Sequence, residues 1–272
     1  MKSLSSSPVK NVFASVALVA ACSTSVWSAD LPDFTFNPAA VGLAGSSVTA
    51  DNILVSDFSS VTFTGATTFN DIGFESITGF QLGGSNVVAG GLNSTYSLYL
   101  SFNGTGHLTL GNAGSNLNTT VTAGVFDTLN YSLIGASANS TFGFIGTTPT
   151  VNSVAPQTLA TGSLINGNVV SSPANGNTAF VPSANASLTF VQAPGKQGFF
   201  SPQPFYNTAF LALTTPVSTV MPNGSGFMIT NGGGALNFAA AAAIPEPETS
   251  ALMLAGLGLI GFIARRRNHN TI

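Results

Sequence analysis

The chain has 272 residues, enough for one good-sized domain or two small ones, and its 44% of apolar residues can build a real core. Only 6% of the residues are charged, against ~25% in ordinary soluble domains, and between residues 30 and 244 seven acids (Asp30, Asp33, Asp51, Asp57, Asp71, Glu75 and Asp127) face a single base, Lys196. A body with one lysine and no arginine cannot neutralise a row of phosphates, which excludes nucleic-acid binding, and the apolar content excludes gross disorder.

Residues 1–29 read as a secretory signal peptide, the substrate of a signal peptidase: Lys2 and Lys10 mark a positive start, and Val12 to Ala21 form an apolar stretch of suitable length. Cleavage is expected after Ala29, although Trp27 stands where a small side chain is preferred, and a cut after Ser28 is the alternative. Val19 to Cys22 resembles a lipobox, which would instead make Cys22 an acylated first residue. With the later cut the exported protein has no cysteine, hence no disulfide and no thiolate nucleophile.

Residues 30–238 are expected to form a β-rich extracellular domain. Short alternating runs are separated by Gly, Asn, Ser and Pro clusters such as Gly83-Gly84, Gly90-Gly91 and Asn103-Gly104. In Ser94 to Phe102, Tyr96, Leu98, Leu100 and Phe102 fall on one face of a strand; in Gly73 to Leu82, Phe74, Phe80 and Leu82 share one parity. No window holds a helical stripe, and the helix formers Glu, Lys and Arg are nearly missing. The pattern predicts an all-β body, a sandwich or jelly roll with phenylalanines between its sheets. A β-solenoid is the alternative, but no fixed repeat period supports it.

Residues 239–248 form an Ala/Pro linker. Thr249 to Ala264 follow as sixteen uncharged residues, about 24 Å as a helix at ~1.5 Å per residue, which is short of the ~30 Å hydrocarbon core. Arginines that extend their stems to the interface close that gap, so 249–264 is expected to be a short transmembrane helix. Arg265, Arg266 and Arg267 then act as a stop-transfer cluster that leaves 265–272 as a basic cytoplasmic tail.

Pro245-Glu246-Pro247, an apolar Leu/Gly/Ala helix and then three arginines resemble the PEP-CTERM sorting signal of Gram-negative bacteria. That resemblance implies an exosortase that recognises the triplet and processes the tail, a transient inner-membrane intermediate, and delivery to the cell surface or an exopolysaccharide matrix. Asp33 to Phe63, Ile77 to Gly84 and Gly91 to Gly106 are similar to flocculation-associated PEP-CTERM proteins of the PepA type. The similarity implies a matrix protein that helps cells cohere and brings no catalytic residues; exposed sheet edges would additionally permit self-association.

Tests for chemistry lead the same way. His107 is the one histidine of the body and lacks a Gly-x-Ser-x-Gly nucleophile context, so no enzyme is expected. One histidine without cysteine does not assemble a zinc site. Gly256-x-Gly258-x-x-Gly261 is formally a dinucleotide fingerprint, but no βαβ unit surrounds it. Asp51, Asp57, Asp71 and Glu75 are candidate Ca²⁺ ligands, although their spacing matches no calcium loop, and paired carboxylates also suit a glycosidase. Turn and strand-end acids that cap backbone N–H groups are the plainer reading. The Asn-x-Ser/Thr sequons are put down to a Ser/Thr-rich composition. The alternative function is a secreted carbohydrate-binding module in which Tyr96, Tyr99 or Tyr206 stacks on sugar faces.

Overall fold

The computed structural model describes residues 31–174, 179–201, 210–214, 220–222 and 225–238. The expected signal peptide, Cys22, the linker with Pro245, Glu246 and Pro247, the 249–264 helix, Arg265 to Arg267 and Tyr206 lie outside the described residues. Among the described residues no helix is long and apolar enough to cross a membrane.

The described body is all-β, as its alternating runs predict. Its elements are β1 (Phe34–Phe36), a 3-10 turn (Pro38–Val41), β2 (Val48–Ala50), β3 (Asn52–Phe63), β4 (Thr68–Leu82), β5 (Ser85–Val87), β6 (Ser97–Leu110), β7 (Thr122–Ala136), β8 (Thr141–Ile145), β9 (Thr148–Asn152), β10 (Gln157–Pro173), β11 (Phe180–Leu188), β12 (Val191–Gln192), β13 (Phe200–Ser201), β14 (Phe210–Thr214), β15 (Val220–Pro222) and β16 (Gly226–Phe238). Eight of these pair antiparallel in the order β3, β4, β6, β7, β10, β11, β14 and β16, and β16 pairs back onto β3. The sheet is therefore a closed ring, and the two layers expected of a sandwich are opposite walls of one curled sheet. Closure leaves the ring strands no free edge. An eight-stranded barrel has an interior just wide enough to be filled by side chains or to hold one small ligand.

One end is filled. The small sheet of β13, β1 and β2 seats there, and its Phe34, Phe36 and Phe200 pack among Ile53, Phe80, Leu98, Leu133, Leu159, Leu188 and Phe238 from the ring. Rings meet edge to face at Phe36–Phe199 (4.6 Å), Phe34–Phe238 (5.3 Å) and Phe190–Phe200 (5.4 Å), the arrangement favoured by the aromatic quadrupole. Near the other end a smaller cluster of Phe180, Phe227 and Ile229 gathers Val61, Leu117 and Val220. Outside the ring, Phe142 of the β8–β9 hairpin stacks on Phe58 at 5.3 Å and meets Tyr99 and Phe74.

Two sequence expectations change here. Phe74 and Phe80 share parity but not a face. The β3–β4 register slips between Leu54 and Val55, opposite Gly79 and Ile77, and this bulge turns the side chains over. Phe74 thus packs under the hairpin on the outside, while Phe80 lies in the core. Tyr96 and Tyr99, offered above as sugar platforms, are 0% and 2% exposed. Tyr96 belongs to the core, and Tyr99 is roofed by Phe142 with its hydroxyl 3.1 Å from Ser153 Oγ. Neither presents a ring face to solvent.

Candidate functional site

Between the aromatic plug and the opposite end, the ring interior holds three carboxyl groups. The two-residue alternation that turns Ile53 and Val55 of β3 inward also turns in Asp57 and Ser59; on β4 it turns in Phe69, Asp71, Gly73, Glu75 and Ile77. Asp57 and Glu75 are direct cross-strand partners, and Asp71 lies opposite Val61 two tiers further along, beyond the Ser59–Gly73 pair. Gly73, between the two β4 acids, has to be glycine. A Cβ there would stand 2.6 Å from Ser59 Cβ and 2.7 Å from Phe58 O.

Asp57 is 3% exposed and Glu75 7% exposed. Asp71 is half-buried as a residue, but its Oδ1 is fully enclosed. Ser59 Oγ donates to Asp57 Oδ2 at 3.0 Å; Asp57 Oδ1 and Asp71 Oδ1 have no hydrogen-bond partner among the described residues. Burial disfavours the charged form, and mutual repulsion adds to it. Desolvation raises Asp57 to about 7 against the Ser59 hydrogen bond, and desolvation with repulsion from Asp57 and Asp71 raises Glu75 to about 8. Desolvation and the neighbouring Asp57 push Asp71 well above the usual carboxylate range.

These acids line a cavity of about 100 Å³ whose other walls are chiefly apolar, among them Phe69, Leu100, Phe102, Phe126 and Leu129. Tyr131 also lines it, and its hydroxyl donates to Thr189 O at 2.8 Å. Phe63 and Leu117 are shared with a wider, more polar recess of about 540 Å³ between Thr64, Asn116, Asn118 and Ser225, so the unplugged end is the approach to the acids.

Of the four candidate Ca²⁺ ligands, three therefore converge and one does not. Asp51 accepts the Gly83 N–H at 2.7 Å and caps the turn after β4, the plain role expected of these acids. Asp57, Asp71 and Glu75 depart from it, being buried in mid-strand. Among the described residues, no three His, Cys, Asp or Glu side chains are arranged to hold a metal ion. The sequence signal for the trio is faint: acids at 71 and 75 share strand parity and flank a glycine, but only the ring topology brings β3 against them. Ser59 and the apolar walls carried no signal.

His107 is on the outer surface, with its Nδ1 2.8 Å from Asp127 Oδ1 across the β6–β7 ladder and both side chains well exposed. They belong to a broad outer face made by β4, β6, β7 and β10. There, side chains run in cross-strand rows: Asn70, Thr105 and Thr128; Asn103, Asn130 and Ser163; Ser101, Ser132 and Thr161. Neighbours in a row lie ~4.8 Å apart, and successive rows ~7 Å apart along the strands. Thr105 and Thr128 share a hydrogen bond of 2.8 Å. The β6, β7 and β10 part of the face is thus a lattice of hydroxyl and amide groups, bordered on β4 by the exposed Ile72 in the Asn103 row and by Phe74 in the Ser101 row, and charged only at the His107–Asp127 pair.

Beyond the described body, residues 243–267 match the family model of the PEP-CTERM protein-sorting motif, which bears out the resemblance read from the triplet, the apolar run and the arginines. The motif marks an exported protein with an exosortase as its processing partner and the cell surface as its destination. No curated protein and no solved structure matches the chain.

Proposed function

We propose that this exosortase-sorted, exported protein is a non-catalytic matrix component that promotes cell aggregation together with exopolysaccharide. The sorting motif at residues 243–267 is the observation that carries the reading, because a protein directed to the cell surface is in a position to act between cells. The outer face supports it. Rows of Thr, Ser and Asn offer donors and acceptors to sugar hydroxyls without fixed charge, and low charge lessens repulsion between coated surfaces. Cohesion then arises from many weak contacts on polysaccharide strands shared between cells. Self-association through sheet edges is left, among the described residues, to short strands outside the ring such as β8 and β9.

Replacing Pro245, Glu246 and Pro247 together by alanine is expected to leave the protein in the envelope fraction with its tail uncut. Fractionation and mass spectrometry of both termini read this directly. Deleting the protein should disperse aggregates while polysaccharide secretion continues; unchanged flocculation in that strain overturns the cohesion role. Strong, sugar-specific binding by isolated monomers, with aggregation unaffected, would instead identify a carbohydrate-binding module.

A further inference from the structure

We propose that the barrel interior is a binding site for a small organic ammonium ion, its charged head between the cross-strand partners Asp57 and Glu75 and its apolar body along the phenylalanine and leucine walls of the cavity that Asp71 also lines. This goes beyond the matrix role and stands or falls independently of it.

Three features of the interior point there. First, the site is built. Asp57 is almost fully buried, lines the cavity, and has an Oδ1 atom with no partner among the described residues, although buried polar atoms are nearly always satisfied. Second, among the described residues no side chain supplies the compensating charge. The basic side chains among the described residues are His107, engaged with Asp127 on the outer face, and Lys196, which donates to Gln157 Oε1; neither lines the cavity. Buried charges are paired or they neutralise, so the counter-charge for this trio is a proton or a visitor.

Third, the walls choose among visitors. A divalent ion takes six or more oxygens, or retains waters that need polar neighbours. Here no three carboxylates are set for a metal, and the remaining surroundings are chiefly apolar. An ammonium group needs only acceptors for its N–H donors, and an attached hydrocarbon matches the Phe69, Phe102, Phe126 and Leu129 surface. Size sets the limit. A cavity of ~150 Å³ holds the six heavy atoms of benzene, so about 100 Å³ admits roughly four, the ammonium nitrogen included, and the end of a longer chain such as n-butyl reaches toward the Phe63–Leu117 opening.

Binding is coupled to protons, because the cation favours ionised carboxylates. The titratable groups facing the cavity are Asp57 on β3, Asp71 and Glu75 on β4, and Tyr131 on β7; the described lining residues of β6, β10, β11 and β16 carry none. The neutral state of the acids at low pH therefore competes with the ligand, and the competition is relieved as pH rises.

The test is calorimetric and NMR titration of the full-length protein with n-butylammonium at pH 8.5 and pH 5.0, with 1-butanol and CaCl₂ as separate probes. Saturable one-to-one binding is expected at pH 8.5, at least ~10-fold weaker at pH 5.0, with about one proton released per ligand near pH 7. In the Asp57→Asn, Glu75→Gln double variant, binding is expected to be lost. Should that variant not fold, the wild-type comparisons decide. Absence of saturable butylammonium binding overturns the proposal. Equal affinity for butanol reduces the site to an apolar hole and overturns it too, as does calcium binding that excludes the amine.

Discussion

Acidifying the protein from pH 8.5 to pH 5 is expected to stabilise it, opposite to the usual behaviour of a protein rich in paired carboxylates. A carboxyl whose folded value lies above its unfolded value holds extra protons in the folded state between the two, so stability falls as pH rises across that window. For Asp57 the window runs from 3.8 to about 7, and for Glu75 from 4.5 to about 8. At ~1.4 kcal/mol per pH unit, the part of the Asp57 window between about pH 7 and pH 5 alone corresponds to roughly 3 kcal/mol. The trio is mutually coupled, so its contributions do not simply add. For a body of this size, a few kcal/mol moves the melting temperature by on the order of 10 °C. Asp57→Asn should flatten the profile, raising stability at pH 8.5 and leaving pH 5 nearly unchanged apart from the ~1–3 kcal/mol of a buried amide that lacks a partner. Thermal melts across pH 4 to 9 measure this, and a flat wild-type profile would show that the carboxyls are not enclosed as described. Saturating n-butylammonium should raise the melting point at pH 8.5 and leave it nearly unmoved at pH 5.

The second large effect is expected at the plug. Phe200 is 1% exposed and its ring meets Phe199 at 4.5 Å, Phe190 and Phe238 at 5.4 Å, Phe34 at 5.6 Å and Phe36 at 5.8 Å. Truncation to alanine empties the centre of a cluster drawn from both the small sheet and the ring, where collapse is resisted from all sides. A loss of about 3–5 kcal/mol is expected for Phe200→Ala in urea unfolding, and less than half of that for Phe200→Leu, which keeps most of the volume. Phe142→Ala, on the half-buried outer hairpin, should cost clearly less. Equal losses at Phe142 and Phe200 would contradict the placement of the plug.

Strand content was legible in the sequence because alternation is local. Leu98, Leu100 and Phe102 fall on the cavity side of β6 or in the core, as their spacing predicts. What the sequence hides is non-local. Nothing near Ile53 announces that it pairs with Leu236, so ring closure has no short-range mark. In β3 both parities carry apolar residues, Ile53 and Val55 on one and Leu54 and Phe58 on the other, which leaves the direction of Asp57 undecided until the hairpin covers the outer side. A single bulge at Thr78 then reverses Phe80 relative to Phe74. The acids were visible as a concentration in the first third of the body. Their convergence was not, because it depends on strand register. The sorting motif was legible for the opposite reason, being read as linear order.

The seam between β3 and β16 also sets a timetable. A chain threaded outward from its N-terminal side presents β3 early, but the strand that locks it ends at Phe238, only a few residues before the sorting motif begins at 243. Until then β3 keeps one unzipped border, and long-range pairings of this kind are slow to form. A cut within the motif therefore keeps all eight ring strands together, whereas one made only a few residues upstream would reach the strand that closes the ring.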